Sequence, residues 1–162
     1  MQEGAGSLTL DAVARHAGLS KGGVLYHFPT KHALLRAMVE GRLEEFEGAV
    51  EEAFKSEGEG PGGWLRAFIR ASTAHPGPPR ESAAPLLAAI AHDAGLLGLV
   101  QERMARWHLR GAEGVDPTRA RLLQLAADGL FWSELLGLAP PTGEARDRVV
   151  KLMLELAEDA AS

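Results

Sequence analysis

From Leu34 onward the large apolar residues recur every three or four positions: Leu34, Leu35, Met38, Val39, Leu43, Phe46, Val50 and Phe54. That spacing lays them along one side of an α-helix and does not match the two-residue alternation of a half-buried strand. It predicts one helix of about 24 residues after Lys31, roughly 36 Å long at 1.5 Å per residue. Trp64, Leu65, Phe68 and Ile69 open another helix. Leu86, Leu87, Ile90 and Ala91 belong to a third, which runs on towards Leu96 and Trp107, and two final helices are expected over Pro117–Leu138 and Gly143–Ala161. Glycine and proline punctuate these runs at Gly18, Pro29, Glu57–Gly63, His75–Pro79 and Ala139–Gly143, with Gly95 a weaker break. Gly111–Pro117 reads as a loop that ends with Asp116 placed to cap and Pro117 at a first helical position. No run alternates strictly between apolar and polar residues, so the fold class is all-α.

Composition narrows the setting. Of 162 residues 46% are hydrophobic, enough for a real core, and there is no cysteine to make a disulfide, a thiolate metal ligand or a thiol nucleophile. No basic-then-apolar leader and no run of about 18 apolar residues occurs, which points to the cytoplasm and away from a membrane. The net charge is −5. Ser7–Arg36 carries Arg15, Lys21, Lys31 and Arg36 against Asp11 alone, a local +3 that leaves −8 on the rest. A basic end on an acidic body suits a protein that meets phosphates with one end only.

That basic end contains the most informative stretch, Leu8 to Lys31. Thr9 is placed to cap a first helix in which Val13 and Ala17 share a face and small Ala14 permits close helix crossing. Gly18 is able to take a positive φ and turn the chain, Leu19 to plug the corner, and Ser20 to cap a second helix. In that second helix Val24 and Phe28 point to the core, which leaves Lys21, Gly22, Gly23, Tyr26 and His27 for the outer side. Two adjacent glycines cost a helix about 1 kcal/mol each relative to alanine. Close approach of the backbone to DNA explains them, because this is the layout in which a second helix enters the major groove. Lys31, opening the next helix, is positioned for a phosphate.

Thr9, Ala14, Ala17-Gly18-Leu19-Ser20-Lys21-Gly22, Tyr26-His27-Phe28-Pro29, Lys31 and Ala33-Leu34-Leu35 together resemble the amino-terminal signature of the TetR family over about 30 residues. The resemblance implies a helix-turn-helix over residues 1–40 and a helical effector-binding and dimerisation domain over 41–162. It implies a recognition helix from Ser20 to His27 and DNA contacts from Thr9, Ser20, Lys21, Gly22, Gly23, Tyr26, His27 and Lys31. The partners it implies are a palindromic double-stranded operator, a second copy of the chain and a small apolar effector. Two departures stand out. Leu25 occupies the place where many members carry the tyrosine, with Tyr26 directly before His27. Only Met1–Leu8 precede Thr9, so most of a first helix is missing, as from a truncation or a misassigned start. A dimeric interaction protein that lost DNA binding with that helix is the alternative.

The last two helices are apolar over more than the ~100° arc that one-sided packing needs. Leu123, Ala127, Leu130, Val150, Met153, Leu154 and Ala157 are therefore expected at a two-fold interface. Trp64, Phe68, Ile90, Met104, Trp107 and Phe131 are candidates to line an effector pocket, with His75, His92, Asp93, His108 and Asp128 as polar candidates. The His92, Asp93 and His108 spacing fits no standard metal motif, so no metal and no cofactor is expected. With no nucleophile elbow, phosphate-cradling glycine loop or zinc motif, the chain does not read as an enzyme.

Overall fold

Three hydroxyl side chains start the amino-terminal helices. In a computed structural model of the chain, which describes residues 9–58, 60–74 and 80–159, Thr9, Ser20 and Thr30 each accept a hydrogen bond from the backbone N–H three residues on, at 3.0–3.1 Å. They open α1 (Leu10–His16), α2 (Lys21–His27) and α3 (Lys31–Glu57). The body follows as α4 (Gly63–Ala74), α5 (Arg80–His92), α6 (Ala94–Gly111), α7 (Pro117–Leu136) and α8 (Gly143–Asp159). All regular structure among the described residues is helical. The expectations for Met1–Leu8, for His75 and for the last helix beyond Asp159 lie outside the described residues.

The helix expected after Lys31 is 27 residues long and runs without interruption through residues 40 and 41, so head and body share it. At its end Gly58 turns the chain back with φ +86°. Glu57, gripped by Arg66 Nε at 3.0 Å and by Arg70, fastens the hairpin between α3 and α4. Burial pushes the Glu57 carboxyl up, but the hydrogen bonds and charges of Arg70 and Arg66 overcome it and hold the carboxyl below its ordinary value. The core forms around α4, in which nine of twelve residues are buried. α3, α6, α7 and α8 pack on it, with Phe46 edge-on to Phe68 at 5.6 Å and tilted against Trp107 at 4.9 Å.

Four sequence expectations change. The third helix does not run on into Leu96–Trp107: Asp93 ends it and caps α6 through Gly95 and Leu96 N–H, and the chain bends by 103° between the two. Leu19 does not plug the head corner but is 58% exposed, because the turn is closed by backbone bonds instead. Leu123, Ala127, Leu130, Met153 and Ala157 are buried in the chain's own core and present no surface to a second copy, while Val150 and Leu154 pack against that core and stay half-exposed. α7 carries apolar residues on most of its sides and α8 on a wide arc, and periodicity alone did not tell the inward stripe from the outward one. Trp64, Phe68 and Trp107 are likewise solid core rather than the wall of a space, with Trp64 Nε1 donating to the Trp107 carbonyl at 3.2 Å. Ile90, Met104 and Phe131 are half-buried.

The polar candidates of the body divide. His108 Nε2 lies 3.2 Å from an Asp128 oxygen, whereas Asp93 is drawn to His32 and His92 bonds the Ala88 carbonyl. Among the described residues no group of three or more such side chains is placed to hold a metal ion. No single helix among them is long and apolar enough to cross a membrane.

Candidate nucleic-acid interface

The corner between α1 and α2 is built by the backbone. Gly18, at φ +67°, lets its own N–H bond the Arg15 carbonyl and lets Leu19 N–H reach back to the Ala14 carbonyl at 2.9 Å. This paired closure of a helix end needs a left-handed residue, which glycine supplies without strain. Ala14 and Val24, the only fully buried residues of α1 and α2, close the crossing from inside.

With Val24 turned inward, α2 presents the opposite side outward. Lys21, Gly22, Leu25, Tyr26 and His27 are exposed and Gly23 is half-buried. Tyr26 is 85% exposed and stacks edge-on with His27 at 5.1 Å. A methyl group at Gly22 would meet nothing within 4 Å, so no contact inside the protein requires that glycine; at Gly23 it would press on Ser20 Oγ at 3.3 Å. Lys21 is not free: its Nζ lies 3.1 Å from Asp11 of α1, an exposed pair of the kind worth ~0–1 kcal/mol that a phosphate competes with. Lys31 stands exposed in the first turn of α3, without an ion pair among the described residues. The Thr9 and Ser20 hydroxyls are engaged as caps and stay exposed at the helix starts.

Two features escaped the sequence reading. Thr30 caps α3, for which the Thr-Lys-His-Ala run gave a usable signal. Asp93 of the body reaches His32 at 2.9 Å, for which spacing 61 residues apart gave none.

Residues 1–38 match the family described as bacterial regulatory proteins, tetR family, and residues 62–158 match Tetracyclin repressor-like, C-terminal domain. The chain belongs to the TetR family. It is a DNA-binding transcriptional regulator, and members of this family act as dimers and are generally not enzymes. A solved structure of a TetR-family member from Streptomyces coelicolor A3 is similar, with a TM-score of 0.69 and 23% identity, over 96% of this chain and 89% of that one; it speaks for the fold. Among curated proteins none matches the chain. The helix-turn-helix of this TetR-family chain is thus α1 and α2, with α3 leading from it into the body.

Proposed function

We propose that this TetR-family regulator is a repressor that holds a palindromic operator as a homodimer and releases it when a small, largely apolar effector enters its body. The observation that carries the DNA reading is the outward side of α2. Lys21, Gly22, Tyr26 and His27 are presented together, none used by the core, with Lys31 beside them. Tyr26 and His27 offer hydrogen bonds to bases or phosphates, Gly22 permits close backbone approach, and Lys31 meets a phosphate. Thr9, Ser20 and Gly23 complete the contact set at the helix starts.

The dimer reading rests on two exposed apolar stripes. On α7 these are Leu122, Leu125 and Trp132, with small Ala126 and Gly129 between them; on α8 they are Val149, Leu152 and Leu156. Contiguous apolar patches of this kind are rare on monomers. Gly129 has open space around it, which suits close approach of a second helix. Two copies paired through these faces form a four-helix contact and present two recognition helices to successive major grooves, about 34–36 Å apart.

Effector release is supported by one buried nitrogen. Trp107 Nε1 has no hydrogen-bond partner among the described residues. The neighbouring His108 meets Arg121 at Nδ1, 2.7 Å away, and an Asp128 oxygen 3.2 Å from Nε2. An unmet buried donor costs roughly 1–3 kcal/mol. An apolar effector bearing an acceptor oxygen is the chemistry that would satisfy it on opening the packed core around Trp107, and it acts on DNA binding only by preferring that body conformation to the other.

Selection of bound duplexes from a random pool tests the reading. The expected product is an inverted repeat whose half-sites are spaced by a helical turn or a multiple. A purified chain that dimerises yet captures no duplex at 50 mM salt is an interaction protein, and the regulator reading fails.

A further inference from the structure

The head touches the body mainly through α3, and one side-chain link stands out at its start. His32, in the first turn of α3 and next to Lys31, places Nδ1 2.9 Å from Asp93 Oδ2. Among the described residues this is the one acid–base side-chain contact that joins the segment up to Arg36 to the body. The same carboxylate does a second job with its other oxygen, which accepts Gly95 N–H at 2.9 Å and Leu96 N–H at 3.0 Å and so starts α6 at the 103° bend. Asp93 is therefore fixed to α6 by one oxygen and to α3 by the other.

We propose that Asp93, a residue of the body, belongs to the DNA-docking apparatus as a positioning residue: through His32 it sets the angle of the Lys31-bearing end of α3, and it makes that angle follow any shift of α6. This rests on the operator-binding reading above. The carboxyl is suited to the task. It is held below the ordinary carboxylate value, first by the Leu96 N–H and then, against the opposing effect of burial, by His32 and the Gly95 N–H, so it stays ionised at neutral pH. α6 also carries Met104, Trp107 and His108, so a ligand that displaced this helix would pull on His32 without touching DNA.

The sign of a charge change decides the matter. An aspartate beside a phosphate-binding lysine that did nothing else would repel DNA, so its neutralisation would tighten binding. Asparagine caps a helix about as well as aspartate, so Asp93→Asn keeps the start of α6 and removes only the charge offered to His32. The expected result on the duplex selected by the wild-type chain is weaker binding, by roughly two- to fivefold as for an exposed ion pair, at an unchanged Tm. His32→Ala is expected to give a loss of the same size, the double variant no more than either single, and His32→Arg, which restores a cation opposite Asp93, to return most of the affinity. Equal or tighter binding by Asp93→Asn, or losses that add in the double variant, would overturn the role of Asp93 while leaving the regulator reading intact. A wild-type chain that captures no duplex overturns both.

Discussion

The head and the body of this chain are folded by different means. α4 buries nine of its twelve residues and anchors a continuous core of Phe68, Leu65, Ile69, Trp64 and Trp107. α1 and α2 bury one residue each, Ala14 and Val24. The head is shaped by what the backbone does for itself: two hydroxyl caps, one left-handed glycine and a pair of reverse hydrogen bonds. The contrast teaches that residues are free to serve DNA where packing does not claim them. Gly22 and Tyr26 have no role in holding the protein together, whereas every large side chain of α4 does.

The contrast predicts effects that differ in kind. The largest belongs to the body. Phe68→Ala removes a ring packed edge-on against Phe46 and is expected to destabilise the chain by about 3–5 kcal/mol, read from urea unfolding. A loss below about 1 kcal/mol would mean the core is less tightly packed than its burial implies. The head should respond in the opposite direction. Gly22→Ala meets no neighbour and replaces a poor helix former, so it is expected to stabilise by about 1 kcal/mol while weakening operator binding. Stabilisation with unchanged affinity would remove backbone approach at Gly22 from the account. The smallest effect concerns Glu57. Because its folded pKa is depressed, its contribution is fully present above the unfolded glutamate value of about 4.3 and is lost as pH falls through the lower folded value. The stability gap between wild type and Glu57→Gln, from urea midpoints at pH 7 and pH 3, is expected to close at the lower pH; a constant gap would assign Glu57 a role in packing alone.

What was legible in the sequence follows the same division. Caps and glycines act within four residues, so Thr9, Gly18 and Ser20 announced the head, and the apolar period after Lys31 announced α3. The break at Asp93 was hidden because apolar residues continue on both sides of it and the capping aspartate is a single residue. The outward stripe of α7 was misjudged because Leu122 and Leu123 are equally apolar, and only the packing of α4 decides which turns inward. Trp64, Phe68 and Trp107 turned out to fill core for a related reason: aromatic rings at helical spacing look alike whether they surround a space or fill one. The His32–Asp93 contact depends on how α6 is set against α3, which no local pattern encodes.

The central claim is that the outer side of α2 and the start of α3 meet a DNA duplex, and the salt dependence of binding tests it most directly. For the wild-type chain on its selected duplex, log K is expected to fall linearly with log salt, and Lys31→Ala is expected to weaken binding to all sequences alike and to lower the slope by about one unit, the signature of one phosphate contact removed. Binding that ignores salt, or a Lys31→Ala variant with the wild-type slope, would contradict it.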